Sequence, residues 1–227
     1  MSKESGEDQR AMKKISVLLL LLLAISTSVV NAETSLKDDC ESFNKNAVFK
    51  YSSKGHSKAK GLNIQFSVPS YWKASEGERP NIVQKFSSPS FGDRAKIALL
   101  FINDLPPELR KLSEKEIKAL LFSKDMIQSF VPEGGKIIAS RQTQYDGEDG
   151  ALIYHTVNTP RAGVTIIGMS VIHLFIYKKK FIYISVSYSY PLMASSLQNE
   201  ISAEESRQFL DLALRIGNSI IIMNKYN

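Results

Sequence analysis

The sequence predicts an α+β domain built on an antiparallel sheet of seven strands covered by helices. Three observations predict it. Several segments alternate apolar and polar residues with the period of a half-buried strand. Two segments open on capping boxes and continue at helical spacing. The last four strand-like segments are joined by turns too short for anything but antiparallel pairing.

The first clear strand is Leu62, Ile64, Phe66 and Val68, alternating with Asn63, Gln65 and Ser67 and stopped by Pro69. Residues 82–86 form a second strand and residues 95–102 a third, which ends at Asn103-Asp104 and Pro106-Pro107. The period then changes. Ser113 and Glu116 make a capping box, and Ile117, Leu120, Leu121 and Ile127 follow at helical spacing until Pro132 and Gly134-Gly135. Residues 136–145 turn through Asp146-Gly147 into 151–159, and Arg161-Ala162-Gly163 leads into the apolar run 164–177. Lys178-Lys179-Lys180 forms the tip of a hairpin that returns through 181–190. A second capping box, Ser202 with Glu205, opens a closing helix with Phe209, Leu210, Ala213, Leu214, Ile216, Gly217, Ile220 and Ile221 on a wide apolar face. Strands apolar on both faces, such as 165–177, require covering layers on both sides, which helices supply.

Ahead of this domain lies an export signal. Lys13 and Lys14 are followed by an uncharged stretch from Ile15 to Ala32 that contains Leu18 to Leu23 and then decays into Ser26, Thr27 and Ser28. Val30 and Ala32 suit the small-residue rule for cleavage, placing the cut between Ala32 and Glu33. A spanning helix needs about 20 predominantly apolar residues, more than this run offers. Glu4, Glu7 and Asp8 sit badly in a basic leader, so Met12-Lys13-Lys14 reads as the more natural start. Cleavage leaves 195 of the 227 residues and a net charge of +5 of the +6, enough chain for one domain with its own core. Residues 33–60 read as a polar flexible lead-in, and 61–227 as the domain. Cys40 is the one cysteine, so no intrachain disulfide forms.

Leu62-Asn63-Ile64-Gln65-Phe66-Ser67-Val68-Pro69-Ser70-Tyr71-Trp72 resembles the opening of the PsbP-like family, in which a strand ends in proline and an aromatic follows a short turn. The order of strands and helices over 61–226 is similar as well. The family includes extrinsic photosystem subunits, a nuclear-transport cofactor and exported DcrB-like bacterial proteins. The resemblance implies an α/β/α sandwich that works by binding or assembly. The metal-handling residues of some photosynthetic members have no match here, and none is carried over.

Motifs that specify a reaction are missing. His56, His155 and His173 lack partners at metal-ligand spacing. Gly168-Met169-Ser170 is half a nucleophile elbow in mid-strand, and Glu133-Gly134-Gly135-Lys136 lacks the ending of a phosphate loop. Asp146, Glu148 and Asp149 form an acidic tip that turn geometry explains without calcium. The expectation is an exported, periplasmic or secreted, non-catalytic binding or assembly protein of the cell envelope. It has no cofactor, no nucleic-acid partner and no membrane span after cleavage, and its partner is a protein or envelope component. Two readings compete with it: an enzyme assembled around His155, and a surface protein held by the basic segment that carries Lys50, Lys54, Lys58 and Lys60. Candidate partner contacts are Lys178, Lys179, Lys180, Trp72 and His155.

Overall fold

The computed structural model describes residues 35–89, 94–161, 164–192 and 201–226. The expected signal and its cleavage point at Ala32 and Glu33 lie outside these residues. The described elements are α1 (Leu36–Asn44), β1 (Val48–Ser52), β2 (Ile64–Pro69), β3 (Lys73–Glu76), β4 (Ile82–Ser87), β5 (Ala95–Asp104), α2 (Pro107–Arg110), α3 (Glu114–Leu121), α4 (Lys124–Ser129), β6 (Ile137–Tyr145), β7 (Glu148–Arg161), β8 (Val164–Tyr177), β9 (Lys180–Leu192), α5 (Ala203–Asn218) and β10 (Ile221–Ile222).

The main sheet has seven antiparallel strands in the order β3-β4-β5-β9-β8-β7-β6, flanked by helices. The number of strands and the fold class are those the sequence predicts, but the membership differs. The segment 62–68 leaves the main sheet and becomes the centre of a second sheet, β1-β2-β10, while β3 takes its place at the edge.

Each face of the main sheet has its own core. On one side, Ala98, Leu100 and Ile102 of β5 and Ile182, Ile184 and Val186 of β9 pack against Phe66 of the small sheet and Phe209, Leu212, Ala213 and Ile216 of α5. On the other, Ile153, Ile172 and Leu174 pack under Ile117, Leu121 and Ile127 of the short helices. Both predicted capping boxes form, at Ser113–Glu116 and Ser202–Glu205.

The single helix expected from Ser113 to Pro132 is broken in two. Ser123 turns its hydroxyl onto Met126 N and caps α4, a local bond that competes with continuing the helix. Likewise α5 stops at Asn218, and Ile221 and Ile222 pair with β2 instead of extending the helix face.

The polar lead-in also needs correction. From Ser35 onward it is built into the domain: α1 starts on a capping box between Ser35 and Asp38, and β1 pairs with β2 from Val48 to Ser52. Leu36, Asp39 and Cys40 are buried. A nine-residue, mostly polar helix with a narrow apolar face reads as linker in sequence, yet it packs onto the domain.

Candidate binding groove

Alternation along β5 positions the candidate site. Lys96, Ala98, Leu100 and Ile102 point into the large core, which turns Ile97, Leu99 and Phe101 to the opposite face. The short helices cover only part of that face. Their cover reaches Phe101, whose ring stacks on Tyr183 at 4.3 Å, with Phe130 edge-on to Tyr183 at 5.4 Å. Beyond it the strand is half-exposed. On β9 the neighbours of Leu99 and Ile97 are Ser185 and Ser187, whose hydroxyls meet Ser170 at 3.1 and 3.0 Å.

The result is a groove of about 490 Å³. Its floor is Ile82, Ile97, Leu99 and Phe101, one wall is the turn through Gly77, Glu78 and Arg79, and the other is Thr159-Pro160 at the far end of β7. The volume and apolar floor fit a side-chain or small-ligand site. Lys85 lies opposite Leu99 in the β4–β5 register. Among the described residues no ion pair engages Glu78, Arg79 or Lys85, so the rim charges face the groove and solvent.

A larger cleft of about 850 Å³ lies between α1 and α5, and four of its charges are paired with one another. Arg207 holds Glu204 at 2.7 Å, and Arg215 holds Asp211 at 2.9 Å and Asn44 at 2.8 Å. Cys40 sits at its base, with its thiol 3.5 Å from the Gln208 carbonyl. Burial, then Asp211, pushes the thiol up to about 12, so it is neither a ready nucleophile nor an accessible bridging group.

The candidate contacts read from the sequence do not share a surface. Trp72 is 4 % exposed, because its indole Nε1 donates to the buried Asp39 carboxylate at 2.8 Å. His155 is 2 % exposed and faces the side that carries Ile153 under the short helices. Its Nδ1 donates to the Thr156 carbonyl at 2.8 Å, and burial lowers its pKa, so the ring is a neutral Nδ1–H tautomer. Among the described residues no carboxylate pairs with it, and it does not line the groove. Of the lysines, Lys178 and Lys179 are exposed and Lys180 is half-buried against Asp104.

His173 is a core residue. Its Nε2 donates to the Ala213 carbonyl at 2.9 Å, which leaves Nδ1 to accept from the Tyr145 hydroxyl at 3.0 Å. The acidic tip is likewise engaged: Asp146 accepts from Ile222 N at 2.8 Å and from the Tyr226 hydroxyl at 2.6 Å, and Glu148 pairs with Lys225 at 3.1 Å. Of the basic segment, Lys58 pairs with Glu76 and Lys60 with Asp104. Among the described residues no group of three or more His, Cys, Asp or Glu side chains converges as a metal site, and no helix is long and apolar enough to cross a membrane.

No family model and no curated protein matches the chain. It is similar to several solved structures, among them the following. Cyanobacterial PsbP (CyanoP) from Synechocystis sp. PCC 6803 is 10% identical over 78% of this chain and 92% of its own, with a TM-score of 0.44. The Saccharomyces cerevisiae Ran-binding protein Mog1p is 11% identical over 79% and 98%, with a TM-score of 0.45. LpqN of Mycobacterium tuberculosis, involved in cell envelope biogenesis, is 11% identical over 85% and 99%, with a TM-score of 0.42. These likenesses are of fold alone. The sandwich itself is read from the strand order above.

The sequence signal for the groove was present in residues 95–102, where every second residue is apolar on the face that the helices leave open. What sequence could not supply is how far α2 to α4 extend over that face.

Proposed function

We propose that the chain is exported, cut between Ala32 and Glu33, and works in the cell envelope as a non-catalytic binding protein whose groove over β5 receives an apolar segment of a protein partner. The carrying observation is the half-exposed row Ile97, Leu99 and Phe101 at the floor of a concave, charge-rimmed groove. The groups that would otherwise suggest chemistry have structural work. Asp39 is paired, Cys40 is buried and protonated, and both strand histidines hold backbone carbonyls.

Two measurements test this reading. Intact mass of the exported protein gives Glu33 as its first residue, and starting translation at Met12 leaves export unchanged; a mass that retains Leu18 to Leu23 refutes the export half. For the groove, a photo-crosslinking amino acid at position 97, on the same floor, captures a defined partner in the producing cell. Leu99→Asp then abolishes that capture while the protein stays folded, because the new carboxylate lies opposite Lys85. A folded Leu99→Asp protein that still captures the partner refutes the groove.

A further inference from the structure

The two hairpins of the main sheet use the same turn with opposite chemistry. Tyr145 pairs with Glu148 around Asp146 and Gly147, whose φ angles are 49° and 81°. Tyr177 pairs with Lys180 around Lys178 and Lys179, whose φ angles are 48° and 56°. A two-residue turn with both central residues left-handed favours Asn-Gly or Asp-Gly. The first hairpin has that pair. The second holds two lysines in a backbone conformation that a Cβ disfavours.

Other cations gather at the same end. Asp104 accepts Lys180 Nζ at 2.7 Å and Lys60 Nζ at 2.5 Å. Lys60 is itself left-handed, at φ 52°. Leu105 N donates to the Lys179 carbonyl at 3.3 Å, and the Leu105 carbonyl accepts Arg110 Nε at 2.6 Å. Lys60 and Lys180 thus share one carboxylate, whose pKa they pull down to about 2, while Arg110 and the Lys179 carbonyl are bonded to the adjacent Leu105 backbone. Asp104 therefore stays ionised and fixes Lys60 and Lys180 in place. Lys178 reaches over the Tyr177 ring, 5.5 Å from its centroid, and both Lys178 and Lys179 are exposed.

We infer that this end of the molecule docks on an anionic lipid bilayer, with Lys178 and Lys179 at the point of contact. The tip is a two-residue turn whose exposed Lys178 and Lys179 line neither the groove nor the α1–α5 cleft, and it presents compact ammonium groups, which suit a broad field of phosphate charge better than bidentate recognition of one group. Retaining two lysines where the turn prefers Asn-Gly points to a use for their charge. The inference concerns a surface distinct from the groove. It depends on export only for meeting such a bilayer in the cell, and binding in vitro tests it separately.

The probe is vesicles of phosphatidylcholine alone or mixed with phosphatidylglycerol, sedimented with the exported protein in low and high salt. An apolar segment would add equally to both vesicle types, so the difference between them reads the charged contact. The expected result is binding to the anionic vesicles that high salt releases. Lys178→Asn with Lys179→Gly lowers that binding by at least about tenfold, and the unfolding midpoint does not fall, since the turn is better seated. Lys73→Asn with Lys136→Asn removes equal charge far from the tip and leaves binding near that of the wild type. Failure of the wild type to discriminate between the vesicles overturns the inference, as does retained binding in the tip variant or equal loss in both variants. Preference for soluble polyglutamate over anionic vesicles overturns it in favour of an acidic protein partner.

Discussion

Asp39 and Lys96 meet at 2.6 Å with 0 % and 5 % of their side chains exposed, joining α1 to the centre of the main sheet. The other carboxylate oxygen accepts Trp72 Nε1 at 2.8 Å and the Tyr71 hydroxyl at 2.5 Å. One carboxylate therefore fastens the first helix, the turn after β2 and strand β5. Removing one partner of such a pair leaves the other charge buried, at a cost of about 3–5 kcal/mol. Asp39→Ala is expected to lower stability by that amount, read as a drop in urea midpoint at unchanged slope. Adding Lys96→Met to it recovers part of the loss, because the stranded charge is gone.

The contact between α5 and β8 gives a second expectation. A Cβ on Gly217 would lie 2.2 Å from Cε1 of His173, so the helix approaches the sheet only because that position is glycine. In an ordinary helix interior Gly→Ala gains about 1 kcal/mol. Here Gly217→Ala forces the ring or the helix to move, and overpacking of this kind costs about 1–3 kcal/mol. The sign of the change in midpoint tests the contact. In a His173→Ala background the clash is gone and the same substitution should gain up to about 1 kcal/mol, a coupling visible in a double-mutant cycle.

How much of this was legible beforehand depended on the length of each signal. Long strands and capped helices carry their own periodicity, so residues 164–177 and the Ser202 cap were evident in sequence. The elements that escaped are short or polar. In β3 all four residues are exposed, and β10 has two residues. Helix α1 has Asp38 where a capping box usually has Glu or Gln, and it buries a carboxylate. Asp39 lies within the segment that reads as polar lead-in, and its partner, Lys96, is 57 positions away along the chain. His155 reads as a surface candidate for the same reason, since its cover comes from segments remote in sequence, whereas Trp72 packs at the start of the sheet as its place after Pro69 suggests. The groove was hidden differently, since an open sheet face is defined by where other elements stop.

Tyr51 offers a test of packing without a polar reward. Its ring makes edge contacts with Phe66 at 5.5 Å and with Phe86 at 5.3 Å. Its hydroxyl is buried with no protein hydrogen-bond partner among the described residues, and burial pushes its pKa up to about 12. Tyr51→Phe keeps both ring contacts and removes the unsatisfied group. Such a group costs about 1–3 kcal/mol, so the variant is expected to be at least as stable as the wild type and to gain up to about that amount. A clear fall in the thermal midpoint would show that the hydroxyl has a partner after all.

The pH dependence of stability follows from His173. Burial lowers its pKa from 6.5 to about 4, opposed by the Ala213 carbonyl and slightly assisted by Arg141. The ring is held as the neutral Nε2–H tautomer, because the Ala213 carbonyl can only accept and the Tyr145 hydroxyl needs an acceptor. Between about pH 6.5 and 4 the unfolded chain takes up a proton that the folded chain refuses. Stability is therefore fully present above the unfolded value, falls as the pH drops through that window, and levels off below the folded value. The share due to this one residue is about 3 kcal/mol, the free-energy equivalent of the difference between the two values. His155, lowered in the same direction by burial, adds to the slope. Urea unfolding at pH 7.5, 5.5 and 4, treated as roughly two-state, measures it. His173→Gln, which does not titrate, starts less stable at neutral pH and shows a flatter decline across the window. A variant as steep as the wild type would place the acid sensitivity elsewhere, and the His173 ring would then be charged within the fold.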